Sequence, residues 1–513
     1  MDLLRTILSL AAVIGQGAAV GWAGTGRVEI AVVDENGQPL PCRVHLYDKS
    51  GKPREAGNLP FFRDHFVCPG NVELELPAGT YRFEIERGPE YQQRAGSFEL
   101  AEAETETIPV VLKRIADLAA LGWYSGDLHV HRAIEDMPLL MRAEDLHIAP
   151  VITWWNDSNL WTGREPPEDP LMRLDGNRFF QVMAGEDERE GGALMFFQRT
   201  RPLAIAGSSR EYPSPMKFVA EARRQGDVWI DVEKPFWWDV PVWLASGQVD
   251  SVGLANNHMC RSRMYETEAW GRPRDAERLP PPRGNGYWTQ EIYYHMLNCG
   301  LRIPPSAGSA SGVLPNPLGY NRVYVYCGPE FGYDTWWDGL KAGRSFVTNG
   351  PLLVVKANGE LPGHVFTADE GEEIEIAVEV SLTSRDNVPA IEIIRDGKVE
   401  RAVPLGGPSK TGSTQRVLGT LTFNKSGWFL IRAITDLEHT FRFASTAPYY
   451  VEVGPSKHHV SRRSAQFFLD WVDQRAKRVP LKLDDPEKLR EVLASHDQAR
   501  RFWQETLAGA SGE

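Results

Sequence analysis

The sequence predicts an α/β barrel set between two β-sandwiches and finished by a helical tail. Three observations carry that prediction. Residues 25–114 alternate apolar and polar side chains between turn signals, 120–350 change to a strand–helix–strand rhythm, and 351–455 return to short alternating strands. At 513 residues the chain has room for about three domains.

The first residues read as an export leader. Arg5 precedes an apolar run from Ile7 to Ile14, small residues follow, and Gly21-Trp22-Ala23 offers a small-x-small cleavage site. The run is broken at Gln16 and falls short of the roughly 20 apolar residues a span needs. The expectation is a signal peptide over 1–23, an exported (periplasmic or extracellular) product, and no transmembrane span after cleavage. A net charge of −13 without a Lys/Arg-rich run argues against nucleic acid or an anionic membrane as partner. Five cysteines suit an exported protein with few disulfides. Cys42 and Cys68 share the small N-terminal domain and could pair. Cys260, Cys299 and Cys327 lack CxxC spacing, so a thiolate zinc site is not expected.

Within 25–114, the strand beginning at Arg27 runs into Asp34-Glu35-Asn36-Gly37, whose Asn-Gly is a hairpin signal. Within 120–350, strand candidates begin at Trp123, Ile148, Phe179, Ala193, Val228, Val249, Arg302 and Val323. Helical stretches such as 214–225, 290–299 and 333–341 intervene, which implies a parallel sheet or barrel. Catalytic groups of such barrels gather at the carboxyl ends of the strands, where His129, His131, Glu186 and Asn256 fall. Residues 351–455 form the second sandwich. In the tail, 456–513, Phe467, Phe468, Trp471 and Val472 recur at helical spacing as a docking face, and Asp485-Pro486 opens a last helix.

The stretch Gly126-Asp127-Leu128-His129-Val130-His131 organises the chain. A strand sends successive side chains to opposite faces, so Asp127, His129 and His131 share one side. Imidazole nitrogen and carboxylate oxygen are ligands of zinc or manganese.

Two resemblances follow from these motifs. Asp34–Pro41, "DENGQPLP", together with "LPAGTYRFEIERG" from Leu76, resembles the transthyretin-like, carboxypeptidase-regulatory type of β-sandwich. "GDLHVH" at 126–131 and "GLKAGRSFVTNGPLL" at 339–353 resemble the PHP (polymerase and histidinol phosphatase) metallohydrolase superfamily, in its carbaryl-hydrolase-like branch. That resemblance covers about 120–360. It implies a distorted seven-stranded (β/α)7 barrel, up to three divalent metals, and activated water attacking an ester, phosphoester or amide-like bond.

Carried over residue by residue, the ligand set is reduced. His129 and His131 match the opening pair, Asp127 the acid before it, and Ala184-Gly185-Glu186 keeps the family's glutamate. Where the family has Thr-Asp-His-Asn, this chain has Thr153-Trp154-Trp155-Asn156. The Gly-His motif appears as Gly192-Ala193, the His-Pro as Lys234-Pro235, and the closing Gly-Ser-Asp-x-His as Gly308-Ser309-Ala310-Ser311-Gly312. Indole and methyl groups bind no cation, so the resemblance implies one divalent ion, zinc or manganese, rather than three.

The ligands expected are His129, His131 and Glu186, with His258 as a fourth. Asp127 is expected to orient a ligand imidazole or act as general base. Glu233 and Lys234 stand at another strand end, the lysine replacing the charge of a lost metal and holding Glu186, Glu233 or a substrate anion. Arg132, Trp154, Trp155, Asn156, Asn256 and Asn257 are expected to orient a small-molecule or carbohydrate substrate, with indoles for stacking. The leading reading is an exported hydrolase with a mononuclear site. The rivals are a catalytically silent module binding a carbohydrate or other ligand in a Trp-lined mouth, and a structural secreted protein.

Overall fold

A computed structural model describes residues 24–406, 412–455, 457 and 460–511. The leader expected over 1–23 lies outside the described residues. Among the described residues the chain is rich in sheet, with sandwich layers at both ends.

The N-terminal sandwich is built as its alternation dictates. Thr25–Val33 is the centre of a three-stranded sheet, antiparallel to Asn71–Pro77 and parallel to Thr105–Val111. A second sheet carries Cys42–Asp48 between His65–Cys68 and Gly79–Glu86, with Arg94–Leu100 beyond. Val28, Ile30 and Val32 of the first sheet pack on Val44, Leu46, Phe66 and Ile85 of the second.

The middle of the chain forms a closed ring of strands. Ile148–Trp155 pairs with Arg178–Arg189 and that with Gly192–Phe197, after which Trp229–Val232, Ser251–Ala255 and Pro305–Ala307 each pair with the strand before. The stretch after Trp123–Gly126 closes it: the Leu128 N–H donates to Ala307 O at 2.9 Å, and the Ile152 N–H to Val130 O at 2.8 Å. The ring is not the all-parallel one expected. Arg178–Arg189 and Gly192–Phe197 form a hairpin, so Gly192–Phe197 runs antiparallel to both neighbours. A connection of a few residues cannot carry the crossover that parallel strands need. The strand expected from Val323 belongs to the same closed sheet but is not a parallel member of it. Arg322–Tyr326 pairs antiparallel with Trp123–Gly126 and with Ser345–Thr348, and so leads into the C-terminal sandwich.

That sandwich sets Leu352–Ala357, Ile374–Ser384 and Gly412–Phe423 against a layer containing Ala390–Arg395, Gly427–Ile434 and Tyr449–Val453. Trp123, Tyr324 and Phe346 join its apolar core, which makes the sandwich continuous with the ring. The tail helices Arg462–Arg478 and Pro486–Ala508 bury Phe468, Trp471 and Trp503 against the ring's helical side. The Trp503 Nε1–H donates to Pro241 O at 2.9 Å, and Arg475 pairs with Glu211 and Asp239. The aromatic stripe is thus a docking face.

Cys42 and Cys68 lie directly opposite each other on antiparallel strands, buried, with their sulfurs 3.6 Å apart. A disulfide needs only a small side-chain rotation to reach its bond length of about 2.05 Å. Treatment with oxidised glutathione is expected to remove these two thiols and no others. Closing that loop should stabilise the fold by about 3–4 kcal/mol on the chain-entropy account. Alkylation of the unfolded protein followed by peptide mass mapping checks this, and full labelling of both cysteines after oxidation would refute it.

Candidate metal centre

The site is assembled where the ring closes. Residues 127–131 lie between Ile148–Trp155 and the stretch after Pro305–Ala307, with Val130 bridged to Val151 on one side and Ser311 on the other. Leu128 and Val130 are buried in the core, and His129 and His131 face the other way. Gly308 makes this close approach possible, since a Cβ there would stand 2.5 Å from His129 Cβ. Glu186 comes from the adjoining strand, in register with Trp155.

Three donor atoms converge. His129 Nε2 and His131 Nε2 are 3.0 Å apart, and Glu186 Oε2 lies 3.2 Å from His131 Nε2 and 3.6 Å from His129 Nε2. With ligand bonds of about 2.1 Å, the edge of a tetrahedral zinc site is about 3.4 Å. The three separations are therefore those of one coordination face. Glu186 Oε2 is buried and makes no well-aligned hydrogen bond, which leaves its lone pair directed at the same point. A buried and a partly buried imidazole turned nitrogen to nitrogen beside an unsatisfied carboxylate fit a divalent cation better than a closed hydrogen-bond network.

Electrostatics agree. Burial alone would lower His129, but Glu186 and Glu233 raise it to about 10. Burial and the neighbouring His129 lower His131. Burial would raise Glu186, but the two imidazoles bring it down to about 2. Without a cation the carboxylates hold a proton at the place where positive charge belongs.

Glu233, just past Trp229–Val232, fixes His129 from behind. Its Oε1 lies 3.3 Å from His129 Nδ1. The same carboxylate accepts from Asn257 Nδ2 at 2.6 Å and Trp237 Nε1 at 2.8 Å, and pairs with the buried Lys234 ammonium. With Nδ1–H aimed at Glu233, the Nε2 lone pair is the one left for the centre. Lys234 also stands 4.6 Å over the Trp237 ring, so its expected burial holds and its partner is Glu233.

Other expected roles need correction. Asp127 touches neither imidazole: Oδ1 accepts from the backbone N–H of His129 (3.1 Å) and Ser309 (2.9 Å), and Oδ2 from that of Gly319 (2.7 Å). It is a backbone strut, and the orienting role falls to Glu233. His258 stands apart from the converging group, packed against Phe236 and Tyr265, with burial and Lys234 lowering it to about 3. Arg132 turns away, stacking over Phe62 of the N-terminal sandwich at 5.0 Å. Trp154 is core: its ring covers Gly185 and its Nε1–H donates to Met183 O.

Trp155 is the indole at the site, 4.9 Å from the His131 ring. Asn156 accepts from the Glu188 N–H at 2.9 Å, and Asn256 accepts from the His258 N–H at 3.1 Å, so both shape loops. Asn257 supports Glu233 and keeps a buried Oδ1 unpaired.

One residue was missed. Glu188 receives the Trp155 Nε1–H at 3.2 Å, and burial together with Glu186 and Glu233 raises it to about 7. Its position two residues beyond Glu186 on one strand was a usable signal, because period two puts both on the same face.

No family model matches the chain, and no curated protein matches it. Solved structures with some similarity include the Bacillus anthracis TIE protein (19% identity, 22% of this chain, 20% of that one, TM-score 0.15). The CARDB domain of the Pyrococcus furiosus PF1109 protein, in complex with di-metal ions, is 20% identical over 20% of this chain and 94% of its own, with a TM-score of 0.12. A Niemann-Pick type C2 protein from the Japanese carpenter ant is 11% identical over 20% of this chain and 91% of its own, also at 0.12. The chain spans about a fifth of the TIE protein's length. Overlaps this short at these scores assign neither fold nor chemistry.

If Asp127 is a strut, Asp127→Asn should destabilise the protein by about 2–3 kcal/mol, because one of its three N–H donors then meets an amide NH2. Metal affinity of the folded variant should stay within about threefold of the parent. Urea unfolding and competitive zinc titration check this, and a large affinity loss at unchanged stability would refute it.

Proposed function

We propose that the chain is a PHP-type, metal-dependent hydrolase with one divalent ion held by His129, His131 and Glu186. The observation that carries the proposal is the 3.0–3.6 Å triangle of donor atoms at the carboxyl ends of neighbouring ring strands. The "GDLHVH" motif and the ring closed through it support the family reading. Three protein ligands with a fourth position left open are the arrangement of catalytic zinc. A bound zinc or manganese ion would supply Lewis acidity at the scissile ester, phosphoester or amide-like bond and acidify water.

The protein's own groups supply the rest. Glu233 keeps His129 in the tautomer that leaves Nε2 free, and Lys234 and Asn257 hold Glu233 still. Glu188, which burial and the charges of Glu186 and Glu233 raise in the metal-free protein, is the carboxyl placed to pass a proton to a leaving group. Trp155 offers a flat apolar wall beside His131. A mouth lined by many indoles is not supported, since Trp154, Trp237 and Trp243 are fully buried in the core. This weakens the silent carbohydrate binder. Export of the product belongs to the same proposal and rests on the sequence of 1–23.

Metal content decides the matter. Native protein should carry about one zinc or manganese per chain, and His129→Ala and Glu186→Gln should each weaken binding at least about 100-fold. A preparation that neither contains nor takes up a divalent ion would overturn the proposal.

Proton release gives a second check. In the metal-free protein His129 keeps its proton up to about pH 10, whereas His131 and Glu186 are lowered and hold theirs only in more acidic solution. Metal must displace the His129 proton. Binding should release about one proton between pH 7 and 9, and apparent affinity should rise as pH rises. Calorimetry in buffers of different ionisation enthalpy measures the release, and a value near zero would contradict it.

A further inference from the structure

A second site is built where the two sandwiches and the ring meet. A cleft of about 360 Å³ there is lined by Arg43 and Glu86 of the N-terminal sandwich, Glu144, Arg261 and Arg322 of the ring, and Arg385, Asp386 and Arg442 of the C-terminal sandwich. Five guanidinium groups therefore face three carboxylates. None of the metal-centre residues lines it.

The pairing shows which cations are left over. Glu86 is shared three ways: it accepts from Arg43 Nη2 at 2.8 Å and Arg261 Nε at 2.9 Å, and lies 3.4 Å from Arg385 Nη1. Glu144 pairs with Arg43, and Asp386 with Arg442 at 2.7 Å. Arg261 is paired with Glu84 as well, whereas Arg385 makes only a long contact to Glu86, and its neighbour Asp386 is engaged by Arg442. Arg322 has less. It is 1% exposed, donates to the backbone carbonyls of Gly319 and Glu144, and makes no ion pair with a carboxylate, while its Nη1 has no hydrogen-bond partner. A buried guanidinium without a carboxylate is costly unless an anion completes it. Arginine forks suit oxyanions with two or more oxygens.

We propose that this cleft binds a small, multiply charged oxyanion, a phosphate or a polycarboxylate, held by Arg322 and Arg385 and linking all three domains. Its volume admits a group of that size and leaves room for a short organic remainder. The site is independent of the metal centre, so it stands or falls separately from the hydrolase reading.

The test uses the full chain stripped with EDTA, so that phosphate cannot be captured by a metal. Inorganic phosphate and citrate are titrated by calorimetry and thermal denaturation against sodium chloride at matched ionic strength. The expected result is a saturable heat and a rise in Tm with phosphate or citrate beyond that with chloride. Arg385→Gln should weaken that binding roughly tenfold, while Arg278→Gln, which removes an equal charge at an exposed pair with Glu291, should leave it unchanged. Preference for phosphate over citrate, or the reverse, separates the two sources. Equal effects of all three salts on the parent protein would overturn the proposal whatever the variants do. Equal losses in Arg385→Gln and Arg278→Gln would overturn it as well.

Discussion

The centre depends on a carboxylate that never meets solvent. Asp127 is fully buried and accepts three backbone N–H bonds, from His129, Ser309 and Gly319. Each bond to a charged acceptor is worth about 1.5–3 kcal/mol, enough together to offset much of the desolvation of one carboxylate. The ladder between Trp123–Gly126 and Arg322–Tyr326 ends at Gly126, and beyond it the backbone is held on that side by Asp127 together with the Leu128 N–H to Ala307 O and His131 N–H to Ser311 O bonds. Asp127 fixes the backbone of His129 and, through Ser309, the end of the ring's last strand. The acid thus reinforces the ring's backbone closure and helps to aim the imidazoles together.

Glu233 carries the second constraint. A carboxylate this deep survives only if its partners are complete, and it has four: Lys234, His129, Trp237 and Asn257. Removing one partner from such a buried pair typically costs about 3–5 kcal/mol, because a bare charge is left behind. The Lys234–Glu233 pair is thus better understood as scaffolding for His129 than as chemistry of its own. It also gives Lys234 a role: the ammonium neutralises the carboxylate that steers the His129 imidazole.

What could be read from the sequence was local. The pairing of His129 with His131 follows from period two and needs no fold. The sandwich alternation and the aromatic stripe of the tail are legible for the same reason. What could not be read depends on contacts across the ring. Asp127 shares a face with the histidines in an ideal strand, yet its carboxylate bends back to N–H groups roughly 180 and 190 residues away in sequence, which no spacing rule reveals. Trp154 and Trp155 are neighbours, so only one of them could face the centre, and Gly185 decides which by leaving room for the Trp154 ring. The antiparallel course of Gly192–Phe197 was within reach. Glu188 to Gly192 is too short for a crossover, but the strand–helix rhythm on either side masks it.

The N-terminal sandwich is held to the ring by buried charge as well as by the apolar packing of Val67 on Met137 and Leu140. Arg43 pairs with Glu144, Arg87 and Arg114 both reach Asp145, and the Tyr324 hydroxyl donates to Glu90 at 3.0 Å. Buried ionic contacts of this kind add little net stability over apolar ones, but they tolerate only one orientation. The residues they grip are the end of the helix Met137–Glu144 and the turn before Ile148–Trp155, the strand that borders the histidines. A sandwich that merely tethered the ring would not need to fix that turn. Because Glu144 and Arg43 also line the arginine-rich cleft, the join that sets this strand is the one an anion would tighten, and the orientation of the ring's first two strands is set from outside the ring.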